Sequence, residues 1–317
     1  MHPYSDEQLI LAARLYYIDQ LSQSDVAKMM SVSQAKVSRM LTLARECGFV
    51  RITVADANPR DLELEKRLRQ ALGIETIVIR PAFGQKSNDL RQIIGYFAAE
   101  AIHDWLKSCH VIALAGGRTM RNLVDRFKHL PAPTRLEVVQ AMGTVDASPG
   151  PFDAVELGLI LAGCWHSSFV RLNTPAILQD ADTCTKLLQL EQVQHVMGRL
   201  AEADAALIGV GTLENSIFAE RGVLSPQDLQ ALRGAGAVGE IVGRYFDSSG
   251  RECQTSLRDR VVSLPLSDLR KIQLRIAVTT GTDRAKAICA AIRGGLLNAL
   301  AIDASGAMAV LAESGKY

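Results

Sequence analysis

Four short apolar runs in this chain are each followed by glycine and then by threonine or a second glycine. That repeat constrains the fold more than any other feature. Val111–Ala115 runs into Gly116-Gly117-Arg118-Thr119, Leu136–Met142 into Gly143-Thr144, Ala205–Val210 into Gly211-Thr212, and Leu274–Thr280 into Gly281-Thr282. Helical periodicity follows the first from Met120 to about Phe127 and the last from Arg284 to Arg293. Ile74–Ile79 reads as a further strand with a helix behind it over Leu90–Leu106, and Leu300–Ile302 closes the series. Strand, small-residue loop and helix repeated in this way predict an α/β fold: an open, mostly parallel sheet covered by helices. Such sheets bind ligands at the carboxyl ends of their strands.

A chain of 317 residues suggests about two domains. The longest apolar run, around Leu157–Trp165, is far short of the roughly 20 residues needed to span a bilayer. The first twenty residues carry Asp6, Glu7 and Asp19 against Arg14, so no signal peptide is expected. Cysteines at 47, 109, 164, 184, 253 and 289 are too widely spaced for a CxxC motif and read as reduced thiols of a cytoplasmic protein. The histidines show no HxH or HExxH spacing, so neither a metal nor a cofactor is expected. A net charge of +1 says nothing about a nucleic-acid partner, which leaves that question to local pattern.

The polar, proline-containing stretch Asp56–Asp61 reads as a linker between an N-terminal domain over 1–55 and a larger domain over 62–317. Before it, Glu7–Asp19 is helical in period. Ser22 is placed to cap a short helix carrying Val26, Ala27 and Met30 on one face. Ser31-Val32-Ser33 breaks that pattern, and Ser33 is placed to cap a second helix from Gln34 to about Cys47, ending at Gly48. Two short helices about a tight turn describe a helix-turn-helix, whose second helix lies in the major groove of DNA. Its candidate contacts are Ser33, Gln34, Lys36, Ser38 and Arg39. Gln suits adenine and Arg suits guanine by bidentate geometry. From residue 28 to residue 51 five cations (Lys28, Lys36, Arg39, Arg45, Arg51) face one acid, Glu46, a local balance of +4. Phe49–Val54 alternates like a strand and would form a wing. An ordinary helical hairpin with a solvated polar face fits the same pattern.

Gly116-Gly117-Arg118-Thr119 carries the clearest chemistry. Glycines let backbone N–H groups converge, the following helix contributes its positive dipole end, and Thr119 adds a hydroxyl, which together suit a phosphate. The same residues equally suit a tight βα turn. Gly143, Thr144, Gly211, Thr212 and Gly281 are compatible with a polar pocket, and Arg284 is placed to face an anion. Asp247, in a glycine-rich segment, is a candidate acceptor for sugar hydroxyls, although Ser248-Ser249-Gly250 after it also suits a plain turn.

Leu21-Ser22-Gln23-Ser24-Asp25-Val26-Ala27 and Ala35-Lys36-Val37-Ser38-Arg39-Met40-Leu41 resemble the start of the SorC/DeoR-type family of sugar-binding transcriptional regulators. Gly116–Thr119 looks like that family's phosphate loop. Ala237–Asp247, Leu264–Val278 and Ala287–Leu300 resemble its later segments, so the likeness covers essentially the whole chain. It implies a fold similar to sugar-phosphate isomerases and glucosamine-phosphate deaminases used as a sensor, a homotetramer or dimer of dimers, and a sugar or sugar-phosphate effector. The chain departs from the pattern in having Arg284 where members often have lysine and Thr280 where they have a second glycine. Met142-Gly143 offers no lysine for a Schiff base.

The combined reading is a cytoplasmic, non-enzymatic transcriptional regulator of a carbohydrate operon. It would hold operator DNA with the winged helix-turn-helix and a small sugar or sugar phosphate in the larger domain. The alternative is an isomerase- or deaminase-like enzyme on the same fold.

Overall fold

A computed structural model of the chain describes residues 3–52, 59–81, 87–133, 136–146 and 148–315. It divides into two compact units, 1–57 and 58–317.

In the first unit, α1 (Asp6–Ala13) continues into a π-helical turn at Arg14–Ile18, and α2 (Gln23–Met29) and α3 (Gln34–Glu46) follow. Ser22 and Ser33 take up the orphan amides at the starts of α2 and α3, accepting from the N–H of Asp25 and of Lys36. Between the two helices Ser31 adopts φ 53°, and Gly48 past the end of α3 has φ 77°. Val26, Ala27, Val37, Met40, Leu41 and Ala44 pack with Leu9, Ala12 and Leu15 into one small core. Residues 49–52 form no strand, and Thr53 and Val54, the rest of the expected wing, lie outside the described residues.

The second unit runs α4 (Leu62–Leu72), β1 (Glu75–Ile79), α5 (Ser87–Leu106), β2 (Val111–Leu114), α6 (Arg118–Phe127), β3 (Glu137–Gln140), α7 (Ala154–Trp165) and β4 (Ser168–Val170). It continues through α8 (Ala181–Leu188), α9 (Glu191–Ala201), β5 (Ala205–Ile208), α10 (Ile217–Glu220), α11 (Pro226–Gly234), β6 (Gly239–Ile241) and β7 (Arg244–Phe246). It closes with α12 (Leu266–Leu269), β8 (Leu274–Val278), α13 (Ala285–Arg293), β9 (Ala299–Asp303) and α14 (Ala304–Ser314). Seven parallel strands lie in the order β1-β9-β8-β5-β2-β3-β4, and β6 and β7 form a separate antiparallel hairpin.

Burial on both faces explains why these strands are continuous apolar runs. Ile77 and Ile79 of β1 face α5, α6 and α7 in one core, while Val78 faces the opposite core with Leu64 and Leu68 of α4 and Leu200 of α9. Trp165, at the end of α7, is buried and donates its indole N–H to the Phe127 carbonyl at 3.1 Å, tying α7 to α6.

The expected linker is part of this unit where it is described. Residues 56–58 lie outside the described residues. Arg60 bridges antiparallel to Ile79, and Asp61 caps α4. Arg60 also holds the buried Glu65 through two hydrogen bonds of 2.8 and 2.6 Å. Chain that reads as polar spacer is therefore pinned along the carboxyl end of the edge strand β1.

Asp303 fastens the other side of that end. It is buried, caps α14 through the Gly306 N–H at 3.0 Å, and accepts from the Gly281 N–H at 2.7 Å. Asp303→Ala removes a helix cap and strands the Gly281 amide. It should cost about 2–4 kcal/mol, measured by urea unfolding of the second unit; a loss below about 1 kcal/mol would contradict this role.

Candidate functional site

The strand order reverses beside β2. The chain crosses from β2 to β3 and β4 on one side, then returns to β5 on the other. The loops leaving β2 and β5 therefore diverge, and the crevice between them is where an open α/β sheet has room for a ligand. A cavity of about 170 Å³ opens there, walled by the loops after β2, β3, β5 and β8.

Its floor is the start of α6. Gly117 adopts φ 136°, a conformation that side chains disfavour, and no side chain caps the helix. The amides of the first turn are thus left for a ligand at the positive end of the helix dipole. Gly116 packs so closely that an added Cβ would lie 2.6 Å from the Phe152 carbonyl oxygen, and that carbonyl accepts from the Gly117 N–H at 2.8 Å. The tight turn and the anion cradle are one structure: the glycines bring the loop against the start of α7 and leave the next amides open.

Cations and carboxylates surround this floor in pairs. Arg118 pairs with Glu220, Arg221 with Asp146 at 3.2 Å, and Arg284 with Asp283 at 3.0 Å. Arg284 also donates to the Thr280 carbonyl at 3.0 Å. Arg91 of α5 lines the same cavity, and burial, together with repulsion from Arg118 and Arg284, holds its guanidinium below its ordinary value. Three guanidiniums therefore lie near enough to feel one another beside the α6 terminus.

The opposite wall carries Glu240, buried on β6. Burial pushes its carboxyl up to about 7, partly offset by the hydrogen bond it accepts from the Gly243 N–H. Below it, the Ser216 and Tyr245 hydroxyls share a buried 2.6 Å hydrogen bond, and burial pushes the Tyr245 phenol up. Asn215 lines the cavity and is held by Asp283 at 3.0 Å. Asp153 caps α7, and burial raises its carboxyl.

Of the residues singled out from sequence, Gly116, Gly117, Arg118, Thr119, Gly143, Gly211 and Arg284 line this one cavity. Four others fall outside its lining. Thr144 is bound to the Thr174 carbonyl through its amide at 2.9 Å. Thr212 accepts from the Asn215 N–H at 3.1 Å, which shapes the turn presenting Asn215. Gly281 is tied to Asp303. Asp247 closes its own turn, accepting from the amides of Ser249 at 2.8 Å and Arg251 at 3.0 Å. Sequence reasoning did not name Arg91, Asn215, Glu220 or Arg221 for the site. They sit on helices or turns away from the glycine-rich strand ends, and only the folding of α5 and α10 over the sheet brings them in. In the first unit Ser33, the N-cap of α3, and Gln34, Lys36, Ser38 and Arg39 in its first two turns are all exposed.

No helix among the described residues is long and apolar enough to cross a membrane. No cluster of three or more His, Cys, Asp or Glu side chains among them is suited to a metal.

The family described as "Putative sugar-binding domain" matches residues 56–312. The deoxyribonucleoside regulator of Bacillus subtilis (strain 168) is 29% identical over 308 residues, covering 95% of this chain and 96% of the relative. The transcriptional regulator LsrR of Escherichia coli (strain K12) is 27% identical over 311 residues, covering 96% and 95%. The full-length sorbitol operon regulator SorC from Klebsiella pneumoniae superposes with a TM-score of 0.75 at 23% identity, over 97% of this chain and 99% of that one, and so shares the fold. With the sugar-binding family matched over most of its length and regulators similar to it from end to end, the chain belongs to the SorC/DeoR-type family of sugar-binding regulators.

Proposed function

We propose that this protein is a DNA-binding transcriptional regulator of a carbohydrate operon, controlled by a small sugar or sugar phosphate bound at the switch-point cavity. The observation that carries the reading is the uncapped start of α6, set among Gly116, Gly117 and Thr119 at the floor of a polar cavity. A phosphate seated there satisfies orphan amides and sits at the positive end of a helix dipole. Arg118, Arg284 and Arg91 stand close enough to add charge-assisted hydrogen bonds, with the anion competing against Glu220 and Asp283 for the first two. Glu240 and Asn215, on the far wall, suit hydroxyls, so the lining favours a ligand with an anionic end and a polyhydroxyl body.

The helix-turn-helix supplies the second site. Ser33 and the exposed side chains of Gln34, Lys36, Ser38 and Arg39 present one polar face, as a recognition helix does. The domain boundaries on this reading are 1–55 for DNA and 62–317 for the effector. A homo-oligomer, a tetramer by family resemblance, would space two such helices for paired half-sites. The protein works in the cytoplasm, where operator DNA and metabolites meet. Effector and operator are coupled by a free energy of typically about 1–3 kcal/mol in such two-site proteins.

A second reading has one observation in its favour. A buried carboxyl titrating near neutrality in a cleft is also the signature of an acid–base catalyst. Turnover of hexose and pentose phosphates by the purified protein would support an enzyme; binding without turnover supports the sensor.

Four outcomes test the proposal. In a thermal-shift screen of sugars, polyols and their phosphate esters, a phosphate ester at 100 times its Kd should add about 2.7 kcal/mol of stability; no hit in any class would defeat the effector assignment. Thr119→Ala should weaken phosphorylated ligands more than free sugars, and equal loss for both would remove the phosphate from α6. Arg39→Ala should abolish preference for operator over random DNA in gel shifts while effector binding stays intact; unchanged discrimination would clear Arg39 of base reading.

The fourth concerns Glu240. Its folded value of about 7 lies above the ordinary 4.5. Between those two values the folded protein keeps a proton that the unfolded chain has released, so stability falls as pH rises through that window. Glu240→Gln should therefore gain stability relative to the parent between pH 4.5 and pH 7 and hold that gain above it. Melting curves whose difference is constant from pH 4 to 8 would refute the raised value.

A further inference from the structure

One residue of the second unit is bent against its own chemistry. Val242 and Gly243 join β6 to β7, with Ile241 paired to Arg244 at the base of the turn. Both turn residues have positive φ, 48° at Val242 and 79° at Gly243. Two-residue hairpin turns of that kind favour Asn, Asp or Gly in both places. Of the five non-glycine residues with positive φ among the described residues, Val242 alone is β-branched. A branched Cβ makes that conformation an outlier, which persists only where the surroundings impose it.

The surroundings impose it from both sides of the turn. Glu240 and Gly211 exchange backbone hydrogen bonds of 2.9 and 3.0 Å, which tie β6 to the loop after β5. The Glu240 carboxylate accepts from the Gly243 N–H. Arg244 donates to the Glu252 carboxylate at 2.8 Å, the Ser263 hydroxyl at 3.0 Å and the Val261 carbonyl at 3.1 Å. A Cβ added at Gly243 would lie 2.7 Å from the Phe218 ring and 3.0 Å from the Met142 sulfur. The turn therefore cannot slide by one residue, and whatever stands at 242 takes the left-handed conformation.

Nothing in that clamp needs valine. Asparagine would meet the same φ with less strain. What the valine side chain reaches is the switch-point cavity, which Val242 and Glu240 line and Ile241 between them does not. Val242 also packs in the apolar core, so packing and ligand contact need separate readouts. The hairpin shows the cavity a carboxyl at 240 and two methyls at 242. A sugar chain has the matching pair of surfaces, its hydroxyls and the C–H groups beside them. We infer that Val242 is a ligand-contact residue, held left-handed because its methyls seat the C–H face of the sugar phosphate's carbon chain while Glu240 takes a hydroxyl. The inference rests on the sugar-phosphate reading of the cavity. On it, the empty protein gives up stability at this turn and the filled one gains affinity.

The test is calorimetric titration of the full chain with inorganic phosphate, ribose 5-phosphate and glucose 6-phosphate, beside melting of the ligand-free protein, for the parent and two variants. Val242→Thr keeps the branched shape and the strain and exchanges one methyl for a hydroxyl. Val242→Asn suits the φ and removes both methyls. Both should bind the parent's preferred sugar phosphate about fourfold or more weakly. Inorganic phosphate needs only the start of α6, so its affinity should stay at the parent's value. The ligand-free Val242→Asn variant should melt at or above the parent's temperature. If it melts lower, Val242 is an ordinary core residue and the inference is overturned. Sugar-phosphate affinities that are unchanged, or that fall in step with that for inorganic phosphate, overturn it too. A parent that binds none of the three probes defeats the sugar-phosphate reading itself, and the inference with it.

Discussion

The structure depends on burying a parallel sheet on both of its faces. Strands such as Val111–Leu114 and Ala205–Ile208 are buried at every residue, so each must be followed by helix that covers one face and returns the chain to the same end of the sheet. That requirement puts the β2, β3, β5 and β8 turns at one end of the sheet. It also forces the strand order to reverse somewhere, and the reversal between β2 and β5 opens the cavity. The polar site is a consequence of apolar packing: where neighbouring crossovers part company, neither covers the turn between them.

Balanced charge fills that gap, rather than an excess of one sign. Each of Arg118, Arg221 and Arg284 has a carboxylate partner, and the positive end of α6 lies beneath them. On the proposed function a ligand anion would enter by exchange, taking arginines from carboxylates already present, and binding would rearrange ion pairs across the mouth of the cavity. Glu220 belongs to α10 and Asp146 to the loop after β3, which makes those pairs the joints that a bound ligand would disturb. For a sensor, that is more useful than a rigid anion hole, because the difference between filled and empty states is a difference in contacts between elements.

The sheet was legible in the sequence to within a residue or two at most strand ends, because continuous apolar runs of four to six residues bounded by glycine have few other uses. The short edge strand β4 was not legible, since Ser168–Val170 is three residues long and only half-buried. The wing expected over Phe49–Val54 has no strand at 49–52; alternation there is as well explained by Val50 resting against the helical core while its neighbours meet solvent. Asp61 reads as a linker residue and proves to be a helix cap, because the carboxylate acts as one only once α4 has formed and turned its first amides toward it.

The chain by itself determined where strands give way to helices, which loops are glycine-rich, and which serines start α2 and α3. These are local properties, set by backbone freedom, periodicity and side chains that reach only three residues along. Tertiary structure alone decided that seven of the eleven candidate ligand residues share a cavity while Asp247 closes its own turn. It alone brought Arg91 within range of Arg118 and Arg284, and it alone buried Glu240 enough to shift its proton affinity. Those are properties of distance and desolvation between residues up to about two hundred positions apart, and no local pattern encodes them.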